Sequence, residues 1–180
     1  MRQYINDGKQ YIISIDPALS VSGYAVICKD DCDLMYASKI ITSPKNYEDD
    51  RINDIVKKLF GTAARYNIRD VVLEDGFLGK NPKTSIQLAT LRGAIIGTFS
   101  YMGYHVAHML PSEIRKELGV GGNAKKEDVA KKIMEIYGEE NILRRIGPYS
   151  DKHNKDKTSD IYDAVGTGVA YVRKVKNGNR

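Results

Sequence analysis

A strand-like run of apolar residues that ends on a carboxylate is the feature that most constrains this chain. β-Branched and aromatic residues follow one another in the stretch YIISID (residues 11–16), and the run ends at Asp16. Apolar residues resume at Val21, so one buried strand is soon followed by another. A carboxylate at the edge of an apolar core costs free energy unless something compensates its charge. Asp16 alone is compatible with a structural and with a functional role.

Length and composition predict one domain. The 180 residues, 42% of them hydrophobic, are enough for one well-packed core and offer no segment for a second. No apolar stretch is long enough to span a bilayer, and the first ten residues lack the layout of a signal peptide. We expect a single domain over residues 1–180, with an extension at 1–10 and a basic tail at 175–180. We expect it in the cytoplasm of a bacterial cell or an infected host, without a membrane partner.

The two cysteines lie close together in the stretch CKDDC. Without a secretory signal, Cys28 and Cys32 are expected to be reduced thiols. Two further ligands at zinc-finger spacing do not follow them, so a zinc site is not expected.

Apolar periodicity predicts an α/β fold. Strands at residues 11–16, 22–29 and 33–42 are joined by short polar turns, which indicates an antiparallel meander. Later patterns predict helices at 47–66, 82–102, 111–118, 124–137 and 158–174, with strands at 70–75 and 104–109. This order predicts a mixed five-stranded sheet covered by helices on both faces.

Three further carboxylates lie at the ends of predicted elements. Glu74 ends the fourth predicted strand, and ligands gather at the carboxyl ends of strands in such sheets. Asp160 and Asp163 are three residues apart at a helix start, so both face the same way. Alone, this pair could serve only the helix dipole, and Glu74 could pair with a lysine.

The four acids together favour a metal site. Converging carboxylates repel one another unless a cation neutralises them, and Mg²⁺ prefers oxygen ligands. Two such ions can hydrolyse a phosphodiester. The net charge of +5 and basic clusters such as Lys125–Lys126 add a preference for nucleic acid, although each cluster alone could be a solvated helix face. The combination predicts a nuclease.

Four segments also carry a family resemblance. They are IISIDPALSVSGYAVI, VLEDGFLGKNPKTSIQLATLRGAIIG, GVGGNAKKEDVAKKI and SDIYDAVGTGVAYV, within about residues 11–173. In this order they resemble the segments of the RuvC-type Holliday junction resolvases. The resemblance implies a ribonuclease-H-like fold, a homodimer and nicking of four-way DNA junctions in recombination and repair. It also implies two Mg²⁺ ions per site, for which Mn²⁺ is expected to substitute.

The resemblance assigns roles to individual residues. The family's metal-binding acids are matched by Asp16, Glu74, Asp160 and Asp163. Phe77 matches an aromatic residue that enters the junction and disturbs base stacking. Arg115 and Lys126 match basic residues near the scissile phosphate and the backbone, and Lys125 is expected to contact DNA beside Lys126.

Some positions depart from the family's pattern. Ala18 stands where glycine is usual, Asp75 replaces a frequent glutamine and adds negative charge beside the metals, and the loop at 147–157 is longer than expected. These departures bear on cleavage preference more than on chemistry, and they suggest a divergent, phage-encoded member. Three-way junctions and flaps are further candidate substrates.

The predicted helix at 82–102 is apolar on more than one side and contains the small residues Ala89, Gly93 and Gly97. Such a helix is buried on two faces. We expect a second copy of the chain to cover one of them, with Leu91 and Ile95 as contact candidates. The alternative is a central core helix.

Other functions stay open at this stage. One is a ribonuclease-H-like enzyme that acts on hybrids or flaps, and another is a junction-binding protein whose cleavage is impaired. An actin-like ATPase is disfavoured, because it needs two lobes and a second phosphate loop.

Overall fold

The computed structural model describes residues 7–76, 81–147 and 159–178. In chain order, its elements are β1 (Tyr11–Asp16), β2 (Val21–Cys28), β3 (Leu34–Ile41), α1 (Glu48–Arg65), β4 (Asp70–Glu74), α2 (Pro82–Tyr101), β5 (His105–Met109), α3 (Pro111–Leu118), α4 (Lys126–Tyr137), α5 (Glu139–Arg145) and α6 (Ser159–Lys176). Every predicted element is present within one or two residues. The α5 helix was not predicted.

The five strands form one sheet in the order β3-β2-β1-β4-β5. β1, β2 and β3 pair antiparallel, whereas β4 is parallel to both β1 and β5. This mixed topology confirms the predicted meander followed by strand–helix alternation. It also brings the carboxyl ends of β1 and β4 to the same edge of the sheet.

The sheet separates two apolar layers. Side chains alternate along β1, so that Ile13 packs with α1 and α2 while the adjacent Ile12 packs with α3, α4 and α6 on the opposite face. Both isoleucines are fully buried. The helices on both faces confirm the predicted architecture.

α2 contributes only one side to its own core. Leu91, Ile95 and Phe99 are fully buried at four-residue spacing. Leu91 and Ile95 are therefore core residues, and the expectation that they contact a second copy of the chain is wrong. The outward side carries the exposed Ile86, Ala89, Gly93, Gly97 and Tyr101.

Cys28 and Cys32 are free thiols, as predicted. Among the helices in the described part of the chain, none has the length and apolarity required to cross a membrane.

Candidate metal centre

Two of the predicted acids end neighbouring parallel strands. Asp16 is the last residue of β1 and Glu74 the last of β4, and the pairing of Ile15 with Leu73 places the two strand ends side by side. Both carboxylate residues are partly buried. The sheet topology thus brings together two side chains that lie far apart in sequence.

The start of α6 supplies the other two acids. Asp160 and Asp163 lie in its first turns, and Asp163 is only 7% exposed. The helix comes close to β1 and β2 because two glycines remove side chains from the contact. A β-carbon on Gly23, which pairs with Asp16, would overlap the carbonyl oxygen of Asp160, and one on Gly168 would lie 2.5 Å from Ser14 Oγ.

A buried hydrogen bond fixes this approach. Ser14 Oγ in β1 donates to the carbonyl oxygen of Ala164 in α6 at 2.7 Å. Since Ser14 is two residues before Asp16 and Ala164 follows Asp163, the bond holds these two acids in register. Backbone contact of this kind leaves no signal in the sequence beyond the small residues themselves.

The carboxylates influence one another electrostatically. Burial raises the pKa of Asp16 to about 7, and the charges of Asp163 and Asp160 add to the shift. Burial likewise raises the pKa of Glu74 to about 8, with contributions from Asp16 and Asp163. The pKa of Asp163 is also raised by burial. Asp16, Glu74 and Asp163 therefore carry their charges at a cost, and the charge of Asp160 acts on both Asp16 and Asp163, so four acids from three elements form one cluster.

Lys126 is the cation of this cluster. Its Nζ donates a 2.5 Å hydrogen bond to Asp163 Oδ2, and its side chain is 65% exposed. Desolvation alone lowers the pKa of Lys126, but the hydrogen bond to Asp163 and the charges of the carboxylates outweigh it, so the pKa is raised. Lys126 thus stays protonated and reaches from the surface to the acids.

The other predicted basic residues lie nearby. The charge of Arg115 in α3 opposes, more weakly than Lys126 does, the rise that burial causes in the pKa of Asp163, and Arg115 Nη1 donates to the carbonyl oxygen of Gly122 at 3.4 Å. Lys125 precedes α4, where its backbone N–H is capped by Asp128 and the residue is exposed. Phe77 lies outside the described residues.

The carboxylate of Asp75, which lies beside the acid cluster, has partners of its own. It forms an ion pair with Arg92 of α2 and lies 3.1 Å from His108 Nδ1 of β5. The negative charge that Asp75 adds to this edge is therefore matched by a guanidinium.

The donor set suits a hard divalent cation. Within the described residues, no three acidic, histidine or cysteine side chains are arranged to coordinate one ion as they stand. The donors are nevertheless all carboxylate oxygens, they converge at one sheet edge, and burial and mutual repulsion disfavour the charges of Asp16 and Glu74. Residues of this kind fit Mg²⁺ or Mn²⁺.

Comparison with known proteins identifies the family. The family described as Crossover junction endodeoxyribonuclease RuvC matches residues 12–146. The chain belongs to the RuvC family. RuvC-family resolvases depend on divalent metal ions, which agrees with the oxygen donors described above.

Curated RuvC proteins resemble the chain over nearly its whole length. The crossover junction endodeoxyribonuclease RuvC of Ehrlichia ruminantium (strain Gardel) is 29% identical over 170 residues, covering 92% of this chain and 98% of that protein. The RuvC of Helicobacter pylori (strain ATCC 700392 / 26695) is 31% identical over 175 residues with the same coverage.

Solved structures support the RuvC fold. Thermus thermophilus RuvC in complex with Holliday junction substrate has a TM-score of 0.75 at 18% identity, covering 94% of this chain and 97% of that one. The yeast mitochondrial Holliday junction resolvase Ydc2 has a TM-score of 0.59 at 12% identity, with 94% and 83% coverage. The ribonuclease-H-like architecture expected from the resemblance is confirmed.

Proposed function

We propose that this RuvC-family endonuclease resolves Holliday junctions by metal-dependent hydrolysis at the cluster of Asp16, Glu74, Asp160 and Asp163. The observation that carries the proposal is the convergence of these acids from β1, β4 and α6 on one charge-coupled site. The whole chain would act as one nuclease domain, in recombination and repair of DNA in a bacterial or infected host cytoplasm.

Each acid has a defined part in this proposal. Asp16 is central, because it interacts electrostatically with Asp160, Asp163 and Glu74. It would hold both of two Mg²⁺ or Mn²⁺ ions, and the other three acids would complete their coordination. When bound, the ions supply the charge that activates water and stabilises the leaving oxygen of the phosphodiester.

Lys126 would contact the scissile phosphate. Its ammonium is fixed by Asp163 yet largely exposed, so it can stabilise negative charge that develops on the phosphate. Arg115 and Lys125 would hold the DNA backbone on either side, since contacts to phosphate position the substrate without reading its sequence.

Phe77 remains a predicted wedge at the crossover. Base–aromatic stacking is worth roughly 1–3 kcal/mol per base, which would offset part of the cost of opening a base pair. Phe77→Ala should therefore cut intact junctions poorly, and junctions with unpaired bases at the crossover should recover much of the lost rate.

The enzyme would work as a homodimer. Paired nicks require two active sites related by a two-fold axis, and the outward side of α2 is the surface proposed for the contact. On that side Ile86 is 65% and Tyr101 is 90% exposed, and the small residues between them would allow two helices to approach closely.

A cleavage assay with Asp16→Asn tests the proposal. With Mg²⁺, the wild type should nick labelled four-way junctions in pairs and linear duplex hardly at all, and EDTA should stop cutting but not binding. Asp16→Asn should bind the junction and cut nothing, whereas Asp54→Asn, on the exposed side of α1, should cut normally. Undiminished nicking by Asp16→Asn would refute the metal centre.

Faster cutting of RNA–DNA hybrids or flaps would favour the ribonuclease-H-like alternative. Binding of the junction by the wild type without any cleavage products would favour the impaired junction-binding protein.

A further inference from the structure

A buried hydroxyl in α6 touches the predicted metal centre. Thr167 is fully buried, and its Oγ1 lies 3.3 Å from Glu74 Oε2 and 3.0 Å from the carbonyl oxygen of Asp163. Glu74 belongs to β4 and Asp163 to α6. One side chain therefore contacts a carboxylate of the cluster and the backbone of another member.

The hydroxyl is held rigidly. A β-branched side chain in a helix has few rotamers, so the position of Oγ1 follows from that of the helix. The helix itself is closely packed at the neighbouring glycines, where a β-carbon on Gly166 would lie 3.1 Å from Val129 Cγ1 and one on Gly168 would lie 2.5 Å from Ser14 Oγ. The hydroxyl of Thr167 therefore has a defined position beside Glu74, whose side chain has three rotatable bonds.

A glutamate gains most from a hydrogen-bond partner with a defined position. Its three side-chain torsions must be restricted before the carboxylate can serve as a ligand, and a hydrogen bond to one oxygen restricts them in advance. Among the described residues, Thr167 is the side chain found to donate to the Glu74 carboxylate. Hydrogen bonds to metal-binding carboxylates are commonly worth tenfold or more in metal affinity.

We propose that Thr167 is a positioning residue that presents Glu74 to the divalent cation. The hydroxyl has one proton and two acceptors within reach, and it would donate to Oε2 rather than to the Asp163 carbonyl, because a charged carboxylate is the stronger acceptor. The other carboxylate oxygen would stay free for the ion. This inference rests on the proposed metal centre and adds to it a residue that touches neither the ion nor the DNA.

The test is direct titration of Mn²⁺ into the folded protein by calorimetry, alongside Mn²⁺-dependent cleavage. Thr167→Val keeps the shape and removes the hydroxyl, and it should weaken Mn²⁺ binding roughly tenfold. Its cleavage rate should return towards that of the wild type at high Mn²⁺, and its junction affinity in EDTA should not change. Thr167→Ser, which keeps the hydroxyl, should recover most of the metal affinity.

The chain offers a matched control. Thr62 in α1 is also buried and donates to the carbonyl oxygen four residues earlier, Lys58, at 3.0 Å. Thr62→Val should lower the melting temperature at most and leave Mn²⁺ affinity as in the wild type. If Thr167→Val does not fold, Thr167→Ala allows the same comparison.

The outcomes separate this inference from the proposed function. Wild-type Mn²⁺ affinity in Thr167→Val, with affinity lost in Glu74→Gln, would overturn the role of Thr167 alone. A lower melting temperature with unchanged affinity would show that Thr167 is merely structural. Wild-type affinity in Glu74→Gln would refute the metal centre itself.

Discussion

Lys126 Nζ donates a 2.5 Å hydrogen bond to Asp163 Oδ2, although Lys126 begins α4 and Asp163 lies near the start of α6. The bond joins an exposed lysine to a nearly buried aspartate. It therefore fixes an ammonium group against the acid cluster at the mouth of the site. Its neighbour Lys125 shares the charge but has no such side-chain bond to the acids among the contacts described.

Replacing these two lysines should separate chemistry from binding. Lys126→Gln should lower the single-turnover cleavage rate by at least tenfold, because charge on the phosphate loses a positioned cation. Lys125→Gln should instead weaken junction binding and reduce its salt dependence by about one phosphate contact, with little change in rate. Rate constants at saturating enzyme and binding curves at several salt concentrations measure both. Equal effects of the two variants on the rate would contradict the assignment.

The sheet and the acids could be predicted because both follow from local pattern. Strands of alternating or continuous apolar residues predict the sheet, and a carboxylate at a strand end is visible in sequence, as with Asp16 and Glu74. The short α5 was missed since it has little apolar periodicity. It is stabilised by the burial of Ile142, whereas its ion pair between Arg144 and Glu140 is exposed and contributes little.

Contacts between distant residues could not be predicted. Nothing in the sequence links Thr167 to Glu74, or Arg92 to Asp75, because their proximity depends on how the helices pack on the sheet. The error over Leu91 and Ile95 has the same origin. The apolar residues of α2 lie on several sides of the helix. Periodicity alone therefore cannot distinguish the side that packs on the chain's own core from the side that faces outward.

Gly23 should be essential to the metal centre. In Gly23→Ala the new methyl group would overlap the carbonyl of Asp160, so α6 must move away from β2 and carry Asp160 and Asp163 with it. We expect a melting temperature lower by several degrees and loss of cleavage that high Mg²⁺ does not restore. Gly121→Ala, where a β-carbon meets open space, should behave like the wild type. Thermal unfolding and cleavage assays measure both effects. A Gly23→Ala variant that is fully active would disprove this packing.

The raised pKa values predict a pH-dependent cost of folding without metal. The pKa of Glu74 rises from 4.5 in an unperturbed chain to about 8 in the folded protein. The folded state thus binds the extra proton, so this group's cost is absent below about pH 4.5, grows as the pH rises, and is complete above pH 8. In EDTA at pH 8.5, Glu74→Gln should raise the melting temperature by roughly 3–6 °C.

That gain should shrink as the pH is lowered towards 5.5. Mg²⁺ should stabilise the wild type more strongly at pH 8.5 than at pH 5.5, because the cation competes with the proton for the same carboxylates. The exposed Glu139→Gln serves as a control that should show neither trend. A Glu74→Gln variant that is destabilised at pH 8.5 would contradict the raised pKa.

The outward side of α2 should determine the oligomeric state. Gly97→Glu places a charge on this exposed side without touching the core, since a β-carbon at Gly97 meets nothing within 4 Å. We expect folded monomers by light scattering at micromolar concentration, and single uncoordinated nicks where the wild type makes pairs.

Two further variants serve as controls. Leu91→Arg buries an unpaired charge in the chain's own core and should instead give insoluble protein. The same charge at the open position Gly121 should leave the dimer intact. A wild type that is monomeric under these conditions, or a Gly97→Glu variant that remains dimeric, would refute α2 as the contact.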